Sequence, residues 1–133
     1  MIGDSVASSM MQKALDGVWQ RQKAISNNIA NQETPGYKAI KVSFEQSLMQ
    51  EAKKLQNTPA SAEENEKNIF SIKNSKINFL TDYSTSERAD GNNVNLETEN
   101  INMAKTQIQY QYLTRGMSDM FARLRYAISE GKK

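Results

Sequence analysis

The chain contains neither cysteine nor histidine among its 133 residues. Without cysteine it can form no disulfide and no thiolate metal site, and without histidine it lacks the commonest general base and metal ligand. A catalytic set of serine, histidine and aspartate is therefore impossible. No glycine-rich phosphate-binding loop is present, and no pair of carboxylates lies in a recognisable cleft-forming context. We expect no catalytic residue, no bound metal and no cofactor.

The chain is also poor in long apolar runs and in net charge. Apolar residues make up 38% of it, the mean hydropathy is −0.72 and the net charge is +2. We therefore expect no large private core, no nucleic-acid partner and no membrane insertion, which needs roughly 20 apolar residues in a row. Residues 1–9 lack the basic start and apolar run of a cleavable signal peptide. Any export is expected to use a route that needs no such signal.

The first quarter of the chain predicts one long helix, capped by Asp4 or Ser5 and ending near Gln32. Its apolar residues recur at spacings of four and three, interrupted only by Gln22. This heptad seam predicts pairing with a second helix. The seam consists of Met11, Leu15, Val18, Ile25 and Ile29.

The end of this helix carries Asn27, Asn28 and Asn31 on neighbouring turns, followed by Thr-Pro-Gly-Tyr at 34–37. Asparagine is a poor helix former because its amide competes for backbone hydrogen bonds. The proline removes a backbone donor and the glycine accepts positive φ, which together favour a type II turn. A fraying helix end followed by a loop is the simpler interpretation of this stretch; the asparagines and the turn residues together also predict a rigid exit from the helix.

The middle of the chain predicts smaller elements. Ser43 and Gln46 form a possible capping box for a helix of about three turns that Thr58-Pro59 ends. Residues 60–68 are polar and acidic and indicate a linker. Partial alternation of apolar residues within 69–80 favours a small β-hairpin.

A second long helix is predicted near the C-terminus. The turn residues 90–93 precede Asn95, which is a good N-cap, and Gly131 ends the helix. A heptad seam again runs along it. Its members are Met103, Tyr110, Leu113, Met117, Met120 and Leu124. The predicted fold is mainly α, with two long terminal helices pairing as a coiled coil around a short, variable middle segment.

Two strings of the chain resemble the bacterial flagellar basal-body rod protein family, which is related to hook and hook-associated proteins. The first is carried by Arg21, Ile25, Asn27, Asn28, Ile29, Ala30, Asn31, Thr34, Pro35, Gly36, Tyr37 and Lys38. The second is similar to the proximal rod proteins of that family and is carried by Asp90, Gly91, Asn92, Asn93, Val94, Leu96, Glu97, Glu99 and Met103. The resemblance covers roughly residues 1–50 and 88–131.

The resemblance implies a structural subunit of the flagellar rod, a tubular helical assembly required for motility. It implies export through the flagellar type III apparatus without a cleaved signal, and a place in the periplasmic part of the basal body. The implied partners are further copies of the chain, other rod proteins, the MS-ring protein and the MS-ring–rod junction protein. A cytosolic helical adaptor or export chaperone that binds a partner helix is the alternative.

We expect the residues of the two strings to form a subunit-interface motif. They are Asn27, Asn28, Asn31, Thr34, Pro35, Gly36, Tyr37, Lys38, Asp90, Gly91, Asn92, Asn93 and Val94. The predicted organisation is one structural unit in three parts: a rod helix over 1–33, a turn and middle segment over 34–93, and a second rod helix over 94–131.

Overall fold

The computed structural model describes residues 5–57, 61–86 and 88–131. The prediction of a mainly helical chain with long terminal helices and a small sheet in the middle is confirmed. The elements in chain order are α1 (Val6–Ala30), β1 (Ile40–Ser43), α2 (Glu45–Gln56), α3 (Ala62–Lys73), β2 (Asn78–Thr81) and α4 (Leu96–Glu130). Within these described ranges no helix is both long and apolar enough to span a bilayer.

The long helices begin at the predicted caps. The Ser5 hydroxyl accepts a hydrogen bond from Ser8 N–H at 3.0 Å, and Asn95 caps α4 by accepting from Thr98 N–H at 3.0 Å. The alternative cap Asp4 lies outside the described residues. The first helix ends at Ala30, two residues before the predicted Gln32.

The helices α1 and α4 pack against each other in antiparallel orientation. Asn28, near the end of α1, bonds Glu99 near the start of α4, whereas Met11 lies beside Gly116 further along α4. Met11 and Asn28 are as many residues apart in α1 as Glu99 and Gly116 are in α4. Each residue of α1 between these contacts therefore has a residue of α4 at the same height, and Trp19 lies at the height of Ile108. At 35 residues against 25, α4 is the longer helix of the pair.

The strands β1 and β2 form a two-stranded antiparallel sheet in which Ile40 opposes Thr81 and Ser43 opposes Asn78. The prediction of a hairpin within residues 69–80 is therefore wrong, because residues 62–73 are helical and β2 pairs with a strand that precedes α2. Strand pairing depends on contacts between distant parts of the chain, which local alternation does not reveal.

The prediction of a linker over residues 60–68 is also wrong, since α3 begins at Ala62. Ser61 caps it by accepting from Glu64 N–H at 3.2 Å. Glu63 and Glu64 lie in the first turn, where their charge is favourable at the positive end of the helix dipole. The acidic cluster thus marks a helix start.

The predicted capping box of Ser43 and Gln46 does not form. Ser43 belongs to β1, and Phe44 occupies the cap position of α2 without a side-chain bond to the helix. Glu45 takes the part that the predicted box gave to Gln46, because its carboxylate accepts a hydrogen bond from the N–H of the cap residue Phe44 at 3.2 Å. The helix ends at Gln56, and the predicted stop at Thr58-Pro59 lies outside the described residues.

A small core joins the middle segment to α1. Val18, Ala24, Val42 and Phe44 are buried together, with Leu113 of α4 packed against them. The Phe44 ring lies directly over Gly17, so that a Cβ at that position would overlap the ring. A glycine in α1 is therefore what lets the middle segment approach the long helix.

We expect Gly17→Ala to destabilise the protein, because a Cβ that overlaps the Phe44 ring makes the ring move, which costs about 1–3 kcal/mol and outweighs the gain of about 1 kcal/mol from alanine's helix preference. Gly116→Ala is the matched control: its nearest neighbour is Met11 Cε, 3.6 Å from the added Cβ, and alanine favours a helix by about 1 kcal/mol. Urea unfolding of both variants measures the difference. Equal stability of Gly17→Ala and the parent chain would contradict the packing described.

Candidate subunit-interface motifs

The first motif forms a tight turn after α1, the exit turn (residues 31–38). Gly36 has φ +73°, and Tyr37 N–H donates to Thr34 O at 3.2 Å. This is the type II geometry that the sequence predicts. Asn31 is the C-cap of α1, and its side-chain amide donates to Asn27 O at 2.8 Å. The helix thus ends in a defined backbone conformation.

The second motif forms the asparagine loop (residues 90–95), and its central side chain is Asn92. This fully buried amide donates to two carbonyls of the exit turn, Asn31 O at 2.8 Å and Thr34 O at 2.9 Å. Its oxygen accepts from Val94 N–H at 2.8 Å. One side chain therefore satisfies backbone groups of both motifs, which lie about sixty residues apart in the chain.

Main-chain contacts close the same junction. Gly36 N–H donates to Asp90 O at 2.8 Å, and Lys38 Nζ donates to Gly91 O at 2.6 Å. Gly91 has φ +77°, and a Cβ on it would meet Gly36 Cα at 3.8 Å. The two left-handed glycines pack against each other, which allows the two backbones to approach closely.

Asn93 joins the asparagine loop to the sheet. Its side-chain oxygen accepts from Ala39 N–H at 2.8 Å, and its amide donates to Asp82 O at 2.6 Å. The Asp82 carboxylate accepts from Lys41 Nζ at 2.7 Å and from Ser84 N–H at 2.9 Å, which holds its pKa far below the ordinary range. Among the described residues no group of three or more acidic side chains is arranged to hold a metal ion.

Asn28 links α1 to β1 and α4. Its oxygen accepts from Ile40 N–H at 2.9 Å and Tyr37 OH at 3.1 Å. Its amide donates to Ile40 O at 2.9 Å and to Glu99 Oε2 at 3.2 Å. The side chain is buried and occupies the position of a neighbouring strand beside Ile40. Burial, together with the charge of Glu99, raises the pKa of Tyr37 above its usual value.

Arg21 is a further anchoring residue that the predicted interface set omits. Its guanidinium donates to Val42 O at 2.9 Å, pairs with Glu45 at 2.6 Å and lies 4.7 Å from the centre of the Phe44 ring. It also donates to Gln109 of α4 at 3.2 Å. Burial would raise the pKa of Glu45, but hydrogen bonds from Arg21 and from the backbone outweigh it and lower that pKa. The sequence did contain a signal for this role, because Arg21 belongs to the first string that resembles the rod protein family.

The structure brings the two motifs together but divides their members by exposure. Asn28, Asn92 and Val94 are buried, and the amides of Asn28 and Asn92 are bonded within the chain. The half-buried members are Asn31, Tyr37, Lys38, Asp90, Gly91 and Asn93, and the exposed ones are Asn27, Thr34, Pro35 and Gly36. Contact of the exposed members with other subunits stays a prediction.

The predicted seam residues differ in burial. Val18 and Ile25 of α1 are buried. The half-buried members are Met11, Leu15, Ile29, Met103, Leu113, Met117, Met120 and Leu124. Tyr110 remains 47% exposed. Contact of these seams with other subunits also stays a prediction.

Residues 12–38, which include most of α1 and the exit turn, match the family of flagella basal body rod proteins. The chain is 36% identical over 122 residues to the flagellar basal body rod protein FlgB of Bacillus subtilis, covering 92% of each chain. The chain belongs to the FlgB family of flagellar basal body rod proteins. It is also 37% identical over 107 residues to FlgB of Buchnera aphidicola, covering 75% of this chain and 77% of that one. The family resemblance noted in the sequence is thereby confirmed.

For this FlgB-family chain we expect Asn92→Ala to lower the free energy of unfolding by about 2–4 kcal/mol, because it removes three hydrogen bonds of a buried amide and leaves the buried Val94 N–H without its partner. Asn27→Ala is the matched control, since Asn27 is exposed and its replacement should change stability by less than about 0.5 kcal/mol. Urea unfolding checks both values. A loss for Asn92→Ala no larger than that for Asn27→Ala would contradict the bonding described.

The raised pKa of Tyr37 predicts a pH dependence. The folded chain holds the Tyr37 proton to higher pH than the unfolded chain, so this contribution to stability is complete below about pH 10 and is lost as the pH rises through the folded pKa. Tyr37→Phe should therefore lose stability less steeply above about pH 10 than the parent chain. Unfolding curves on either side of that pH give the two slopes. Equal slopes would contradict the shift.

Proposed function

We propose that this chain is a structural subunit of the proximal flagellar rod and assembles with copies of itself and with other rod proteins. The observation that carries the proposal is the 36% identity to a FlgB protein across 92% of both chains. The family is one of structural rod proteins and not of enzymes. A role in the flagellar basal body, and hence in motility, follows from membership of this family.

The finer features of the proposal follow from the family. The rod would link the MS-ring to the distal rod and hook, and this chain would contact the MS-ring protein and the MS-ring–rod junction protein. It would reach the periplasm through the flagellar type III apparatus without a cleaved signal. The division into a rod helix over 1–33, a middle segment over 34–93 and a second rod helix over 94–131 belongs to the same proposal.

The geometry of the motifs supports a role in transmitting torque. The exit turn and the asparagine loop are joined by side-chain and backbone hydrogen bonds, among them those of Asn92 and Lys38. Such a junction fixes the direction in which the middle segment leaves the helix pair. A drive shaft needs this direction to be the same in every copy, because torque passes from subunit to subunit.

The test is complementation of a flagellated strain that lacks its own copy of this protein. The parent chain should restore motility and appear in isolated basal bodies. Pro35→Ala combined with Gly36→Ala should restore neither, because alanine at φ +73° costs about 1–2 kcal/mol and the turn loses its preset proline φ. Glu33→Ala, an exposed change within the exit turn that leaves Pro35 and Gly36 in place, is the matched control and should behave as the parent chain.

A density map of the basal bodies, with the chain traced into the rod, reads out its position. Full motility of the double variant would contradict the role of the exit turn. A parent chain that stays in the cytosol as a discrete dimer, and is absent from the basal body, would overturn the rod assignment in favour of the adaptor or chaperone.

A further inference from the structure

The helix α4 carries a second apolar stripe that the predicted seams do not include. Ile101, Ile108, Tyr112 and Tyr126 follow one another at heptad-compatible spacings on the side of α4 away from the buried Glu99 and Thr106. They are 51%, 59%, 80% and 68% exposed. We call these four residues the outer stripe. Pairing with α1 therefore uses only one side of this helix.

Charged residues continue the outer stripe. Arg115 and Asp119 lie one and two turns after Tyr112, and neither forms an ion pair within the part of the chain that the structure describes. A shallow depression lies between the side chains of Ile108, Tyr112 and Arg115 on the outer surface of α4, with Gln111 at its side. An aromatic side chain would find apolar walls and a cation there.

The outer face of α1 presents such a side chain. Trp19 is the chain's single tryptophan and is 56% exposed, with Lys23 Nζ 5.5 Å from its ring centre. Asp16, almost one turn before it, is exposed and forms no ion pair with any described residue. Tryptophan, tyrosine and arginine are the residue types that dominate binding energy at protein interfaces.

We propose that Trp19 of one copy of the chain packs into the depression between Ile108 and Tyr112 of a second copy, with Asp16 facing Arg115. The inference rests on the proposed rod function and names the surfaces that would join its subunits. Because Trp19 and Ile108 are level within one copy, a second copy that lies parallel beside the first, shifted by about 3 Å along the helix axis, would bring its Trp19 between Ile108 and Tyr112. When Trp19 is seated between Ile108 and Tyr112, Asp16 lies within about 3 Å of the level of Arg115 along the axis.

Charge favours this pairing at one end, and at the other end two lysines lie at similar levels on different faces of their helices. Asp16 and Arg115 bring opposite charges together. Lys23 reaches the level of Lys105, but Lys105 lines the separate groove beside β1 together with Arg21, so the two ammonium groups need not meet. The contact joins two different surfaces, so a joined pair still has one free donor face, on one copy, and one free acceptor face, on the other. Heterologous contacts build an open helical assembly when successive copies do not close into a ring, and a rod is an assembly of this open kind.

The first test reverses the charges. Asp16→Arg and Arg115→Asp should each lower incorporation of the full chain into basal bodies at least about tenfold, because like charges facing each other across an interface cost more than 1.4 kcal/mol. Both changes in one chain should restore incorporation, because every contact regains opposite charges. Lys53→Glu, an exposed reversal on α2, is the control and should incorporate normally.

Circular dichroism of each purified variant confirms that the helices are retained. Normal incorporation of both single reversals, or failure of the double variant to recover while still folded, would overturn the proposed contact and leave the rod function intact. Absence of the parent chain from basal bodies would instead overturn the rod function itself.

The second test uses the absence of cysteine from the chain. Asp16→Cys and Arg115→Cys are placed in the same chain, which is assembled into basal bodies and mildly oxidised. The heterologous contact should give a ladder of disulfide-linked dimers, trimers and larger species on a denaturing gel. Each single variant should stay monomeric. Dimers from Arg115→Cys alone would indicate contact between two copies of α4 and would overturn the proposal.

Discussion

Two buried asparagine amides hold the rest of the structure in place. Asn28 takes the position of a strand beside Ile40 and reaches Glu99 of α4, and Asn92 donates to the Asn31 and Thr34 carbonyls of the exit turn. A buried amide needs hydrogen-bond partners for its donors and its acceptor, and this arrangement of helix, turn and strand supplies them for both side chains. Asn28, a residue type that is unfavourable within a helix, thereby aligns the end of α1 with the first turns of α4.

The middle segment is joined to the long helices by close approach and by charge. The missing side chain at Gly17 lets the Phe44 ring lie on α1, and Arg21 extends over that ring to Val42 O and Glu45. Its hydrogen bond to Gln109 brings α4 into the same group. A helix pair of this length buries little apolar surface of its own, so these contacts allow one small core to serve the pair and the sheet together.

The sequence was sufficient for the features that depend on neighbouring residues. The heptad spacing and the Asn95 cap indicated α4, and Thr-Pro-Gly-Tyr at 34–37 indicated the type II turn. The start of α3 was equally local, since Ser61 and Glu64 form a capping pattern, but their acidic surroundings suggested a linker instead. The pairing of β1 with β2, and the bonding of one motif to the other, could not be predicted. Both depend on how α1 and α4 align, which brings together parts of the chain that are far apart.

The junction between the exit turn and the asparagine loop has a consequence for how such chains can diverge. Everything between these segments, including α2 and α3, is a closed excursion whose two ends are already held together. Its conformational entropy changes slowly with size, since doubling the length of a flexible loop costs only about 0.6 kcal/mol. Residues can therefore be gained or lost within this excursion, and whole elements inserted there, while the alignment of the helix pair at its base stays the same.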